Sequence, residues 1–184
     1  MYLTRTRALD ARDPGQSLRE LADRTEITDA LYRFGLGQDL HDRALFRSAF
    51  AAHATLDFGP AAAHWGGRSP VMSGADTIVD TILGGFAGRV DTSHTVTNPR
   101  IAVAADRGGA HLTALVEAQH VLTADRARHA LLKNLYDVTL VPATPQAEPE
   151  PGAPESAYAA RWLIRTLRID NIWYTGDPRA IFGG

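Results

Sequence analysis

The chain has 184 residues, a formal net charge of -2 and no cysteine. That length suffices for one domain with a buried core; the mixed charge offers no basic patch for phosphate contacts and argues against a nucleic-acid partner; and the missing thiols exclude disulfides, thiolate metal ligands and a cysteine nucleophile. No apolar run approaches the roughly 20 residues of a membrane helix, and "MYLTRTRALDARDPG" lacks the apolar stretch of a secretory signal, so a cytoplasmic location without a membrane partner is expected.

Residues 1–16 carry no periodic apolar pattern and are expected to form a loose arm. Ser17 and Glu20 have capping-box spacing, and Ile27, Ala30, Leu31 and Phe34 recur at helical intervals, so a helix is expected over 18–36, ended by the glycines of "FGLGQD". Asp42 is placed to cap a second, short helix with Leu45, Phe46, Ala49 and Phe50 as its apolar stripe. A weak pair of strands follows near 54–58 and 62–67. Ser73 and Asp76 then suggest a third helix carrying Ile78, Val79, Ile82, Leu83 and Phe86, stopped at "GGFAGR".

Beyond residue 90 the pattern changes to β-branched residues in alternation, giving four long strands near 92–104, 110–123, 130–142 and 159–174. "ADRGGA" and "TADRAR" read as hairpin turns. The Pro, Ala and Glu-rich stretch 143–157 reads as a flexible excursion inside the last hairpin. Helices first and a curved, mostly antiparallel sheet afterwards make an α+β fold in one domain, 1–184.

In "DTSHTVTNPRI" a strand would put His94, Val96 and Asn98 on one face. The neighbouring "HLTALVEAQH" puts Leu112, Ala114, Val116, Ala118 and His120 on another. Pairing about the "ADRGGA" turn, with partner numbers summing to about 214, brings His120 opposite His94. Tyr32 and Asp39 lie seven apart at the end of the first helix and share a face if the helix persists that far. Asp39 could instead cap the helix that follows. The remaining histidines share no face.

The order of "LYRFGLGQDLHDRALFRSAFAAHATLDFG", "TSHTVTNPRI", "ALVEAQHVL" and "LRIDNIWYTGD" resembles the SnoaL-like branch of the nuclear transport factor 2-like superfamily, which includes scytalone dehydratase, bile-acid 7-alpha-dehydratase and a hexachlorocyclohexane dehydrochlorinase. The likeness spans about residues 18–178. It implies a cone-shaped α+β barrel, three N-terminal helices on a curved mixed sheet, enclosing an apolar pocket. It also implies an aspartate and histidine pair that Asp39 and His94 match, with His120 as a second pocket histidine and Tyr32 as a tyrosine that polarises a carbonyl. Asn98, Phe58, Trp65, Phe86, Val116 and Tyr136 are the expected substrate-binding residues.

Those groups suit proton abstraction beside a carbonyl, because a neutral imidazole has a pKa near 6.5 and an aspartate can orient it. The expected function is a cofactor-independent lyase or isomerase of dehydratase type, acting in secondary metabolism on a hydrophobic oxygenated small molecule. The alternatives are a polyketide cyclase of aldol type and a non-catalytic ligand-binding or dimerisation module; an epoxide hydrolase would need more inward carboxylates. No metal site is expected, since the histidines and Asp39 lack a third convergent ligand. Both faces of the last strand are partly apolar, which suggests a homodimer or homotrimer packed through the sheet.

Overall fold

A computed structural model describes residues 4–6, 13–143 and 162–183. The elements run α1 (Pro14–Asp39), α2 (Arg43–Ser48), β1 (Phe50–Asp57), α3 (Gly59–Ala63), β2 (Met72–Ser73), α4 (Ala75–Phe86), β3 (Val90–Val103), β4 (Ala110–Leu122), β5 (His129–Pro142), β6 (Trp162–Gly176) and α5 (Pro178–Phe182). The fold is α+β around a curved mixed sheet ordered β2-β1-β6-β5-β4-β3, in which β1 and β6 run parallel and every other pair is antiparallel. Register shifts in β3 between Thr97 and Arg100, and between β5 and β6 at Lys133/Asn134 and Thr139/Leu140, are the bulges that bend these long strands. The bend wraps one face around α1, whose Ile27, Ala30, Leu31 and Phe34 join Leu112, Ala114, Val116, Leu132, Val138 and Leu167 in the core.

The three expected helices form as α1, α2 and α4, and two single-turn helices accompany them. α1 is longer than its pattern. Asp13 caps it by accepting from Gln16 N (2.9 Å) with Pro14 in the first turn, so Ser17 is already inside the helix. At the other end Gly35 and Gly37 do not stop it. A methyl group on Gly37 would lie 2.4 Å from Phe46 Cα, and one on Gly35 3.0 Å from His94 Cβ, so these glycines admit α2 and β3 to close contact. Buried Arg33 ties the same region together by donating to the carbonyls of Ser48 and Trp162 and to Asp29.

Other expectations need correction. The 62–67 segment is not a strand: Pro60 and three alanines make α3 instead, and β2 takes the sheet edge beside β1. α4 is capped by Gly74 without a side-chain bond, and Ser73 belongs to β2. Two parts of the 1–16 arm are not loose: 14–16 are helical, and Thr4 and Thr6 bond to β3 and β4 through Thr113 Oγ1 (3.3 Å to Thr4 N), His111 Nδ1 (2.8 Å) and Ile101 N (3.1 Å). The excursion expected over 143–157 lies outside the described residues except for Ala143. No helix among the described residues is long and apolar enough to cross a membrane.

Candidate active site

The last turn of α1 carries Asp39 to the inner face of β3, because Gly35, one turn earlier, lets His94 pack against the helix backbone. Asp39 grips the strand at three points. His94 Nδ1–H donates to Oδ1 (2.6 Å), the His94 backbone N–H donates to Oδ2 (2.8 Å), and Thr92 Oγ1 donates to Oδ1 (2.8 Å). Burial raises the pKa of this carboxyl, but the hydrogen bonds and charge of His94, with Thr92, outweigh it and hold the group below its ordinary value. Asp39 is therefore an anion at neutral pH. A carboxylate can only accept, so the proton of a neutral His94 sits on Nδ1 and the Nε2 lone pair is free.

His94 borders a cavity of about 260 Å³ between the inner face of the sheet, α4 and α5. His120 lines it too, with ring centroids 5.9 Å apart in an edge-on arrangement. The β3/β4 register differs from the expected one by two residues: His94 faces Ala118, and His120 faces Thr92. A slip of two preserves the face, so both imidazoles still point inward. Burial, and secondarily the charge of His94, push the His120 pKa down to about 3, while the Ala118 carbonyl and Asp39 oppose the shift. His120 is neutral at physiological pH. Its Nδ1–H donates to the Ala118 carbonyl (3.3 Å), which leaves Nε2 as an acceptor.

Phe58, Phe86 and Tyr136 line the cavity as expected. The other expected residues do not. Tyr32 is 46% exposed and outside the site. It shares an approximate face with Asp39 but lies two turns, about 10 Å, up the helix from it. Asn98 is exposed with φ 54°, because the bulge between Thr97 and Arg100 ends the face begun by His94 and Val96. Val116 is core. Trp65 stands one layer back, stacked on Phe182 (5.7 Å, 24°), which fills its place in the wall.

Several lining groups had not been anticipated. Asn134 and Tyr136 share one face of β5 with Leu132 and Val138, so Asn134 was readable as a polar residue on an apolar face. Asn171 Nδ2 donates to Asn134 Oδ1 (2.9 Å), which leaves the Asn134 amide N–H groups for Tyr136 and the cavity. Burial first, and the Asp39 charge second, raise the Tyr136 pKa, so its hydroxyl keeps its proton. Gln38 depends on α1 continuing through its glycines, and Phe182 on a terminal helix with no periodic signal. No three His, Cys, Asp or Glu side chains converge as a metal site among the described residues.

Comparison with known proteins agrees with this fold. The SnoaL-like domain family matches residues 19–168. Over 167 residues the chain is 28% identical to terrestric acid biosynthesis cluster protein E of Penicillium crustosum, covering 89% of this chain and 91% of that protein. Solved structures also share the fold. A protein of Kribbella flavida superposes with a TM-score of 0.67 at 20% identity, covering 85% of this chain and 95% of that one. A hexachlorocyclohexane dehydrochlorinase of Novosphingobium barchaimii superposes with a TM-score of 0.63 at 16% identity, covering 87% and 93%. By the extent of the family match, the chain belongs to the SnoaL-like domain family.

Proposed function

We propose that this protein is a cofactor-independent enzyme of secondary metabolism, a lyase or isomerase of dehydratase type acting on a hydrophobic oxygenated small molecule. The observation that carries the reading is the hold of Asp39 on His94 at 2.6 and 2.8 Å, at the edge of a mostly apolar cavity. His94 Nε2 takes a proton from carbon beside a carbonyl, and Asp39 stabilises the imidazolium. The carbonyl oxygen gains negative charge in that step. Tyr136 O–H is the donor for it, in the role expected of Tyr32. His120 accepts from a substrate hydroxyl. The imidazolium returns its proton to the departing hydroxyl in elimination, or to a second carbon in isomerisation. The relative from a biosynthesis cluster favours secondary metabolism. An aldol cyclase, which begins with the same proton abstraction, is the second reading. On this reading residues 1–184 act as one cytoplasmic domain, assembled as a homodimer or homotrimer.

The test needs no native substrate. With 2-tetralone in deuterated buffer, the protein should accelerate deuterium uptake at the carbons beside the carbonyl, followed by proton NMR. His94→Ala should lose about 10²- to 10⁴-fold of that acceleration while its melting temperature stays near wild type. Asp39→Asn should lose much of it too, because an amide N–H facing Nδ1 moves the imidazole proton to Nε2. Exchange by His94→Ala at the wild-type rate would sink the catalytic reading.

A further inference from the structure

The rim of the cavity holds a cation with no anion beside it among the described residues. Arg89 lines the cavity from the turn between α4 and β3. Its Nε donates to the Gly85 carbonyl at the end of α4 (3.1 Å), and its Nη2 to the Ile181 carbonyl in α5 (2.9 Å). Both partners are neutral. No carboxylate pairs with Arg89 among the described residues, whereas Arg126 pairs with Asp91 (2.8 Å) and Arg128 with Asp177 (3.7 Å). The two carbonyls fix the guanidinium and, among the described residues, leave its Nη1 amino group uncommitted, a donor held in position before any ligand arrives.

The charge distribution says what such a group would take. Asp39, an anion bonded to the lining residue His94, disfavours a negative ligand group at that end of the cavity, whereas Arg89 attracts one at its own end. Between them the walls are largely apolar, with Phe34, Phe58, Phe86, Ile82 and Leu132. We propose that Arg89 is a specificity-determining residue, and that the substrate is an organic acid whose carboxylate or ionised enol docks on it while the apolar body reaches inward to His94. This rests on reading the cavity as the substrate site. Planar guanidinium matches a two-oxygen anion better than a hydroxyl or ketone does, which selects the acid over its neutral analogues.

Two probes of nearly equal shape, 2-naphthoate and 2-naphthamide, separate charge from fit in titration calorimetry on the full chain. The wild type should bind the naphthoate at least tenfold more tightly, by a margin that shrinks with added salt. Arg89→Gln should reduce that preference below about twofold with naphthamide affinity unchanged, and Arg89→Lys should keep most of it. Equal binding of the probes by the wild type, failure of naphthoate to bind at millimolar concentration, or a preference that survives Arg89→Gln would overturn the proposal. So would a parallel loss of both probes in Arg89→Gln, since Arg89 would then only hold α5 in place. His94→Ala should keep the preference. Absent tetralone exchange with the preference intact defeats the catalytic reading, whereas normal exchange without the preference defeats only the role of Arg89.

Discussion

His120 packs its ring against Phe182 (4.9 Å) and Phe86 (5.6 Å), and that burial gives it a pH signature separate from catalysis. Its pKa falls from 6.5 in the unfolded chain to about 3 in the folded protein. Between those values the unfolded state binds the extra proton and the native state does not. Stability due to the neutral ring is thus complete above pH 6.5 and is lost as pH falls toward 3, with a slope of at most about 1.4 kcal/mol per pH unit. Asp39 also has a lowered pKa, but its stabilisation is present above its unfolded value of 3.8 and declines only below that. Urea denaturation at pH 7, 6, 5 and 4 should show His120→Gln with a visibly flatter dependence than wild type; parallel curves would contradict the assignment. The two inward histidines were legible from alternation alone, and Asp39 from its match to a known pattern. Tyr32 was misplaced because angular position on a helix says nothing of distance along its axis, and Asn98 because a bulge is invisible to a period-two count.

At the level of elements, the reading failed where glycine had two explanations. Gly35 and Gly37 looked like a helix terminus, yet α1 passes through them, since the intrinsic cost of glycine in a helix, about 1 kcal/mol each, is offset by the packing that contact permits. Gly84, in α4, has nothing within 4 Å of where a methyl would stand. The same substitution should therefore have opposite signs. Gly84→Ala should raise the melting temperature by about 2 to 4 °C, the equivalent of roughly 1 kcal/mol in a chain of this size. Gly37→Ala, set against the Phe46 backbone, should cost about 3 kcal/mol or more or prevent folding. Gly35→Ala should lower stability less but slow the tetralone exchange, since His94 must shift from Asp39 to make room. A stabilising Gly37→Ala would refute the close-contact account. The long strands were legible because alternation over a dozen residues leaves little choice, whereas α3 and α5 span five residues each and carry too few turns for any period to show.

On the scale of the whole molecule, alternation gives the sheet two faces with separate tasks. On β4 and β5, Ala118, His120, Leu132, Asn134 and Tyr136 face the cavity. Leu115 and Leu135, opposite each other in register, face outward with Ile172 beside them. Ile172 is 52% exposed, and its neighbour Trp173, paired with Lys133 of the same outer face, is also exposed. We propose that this apolar outer patch is the surface through which the dimer or trimer packs. Ile172→Glu puts a charge on it without touching the cavity or removing a core side chain, so the folded protomer should survive the change. Sedimentation of the wild type at tens of micromolar should give a dimer or trimer, and Ile172→Glu should shift it toward monomer, with tetralone exchange per chain retained because Ile172 lies on the face of the sheet opposite the cavity. The melting temperature of the wild type should also rise with protein concentration, and that of the variant should not, as linkage requires when assembly stabilises only the folded state. A monomeric wild type would remove the outer face from the account of assembly. A variant that stays oligomeric would place the interface elsewhere on the surface, and loss of exchange in a folded monomeric variant would mean that the site depends on its neighbour.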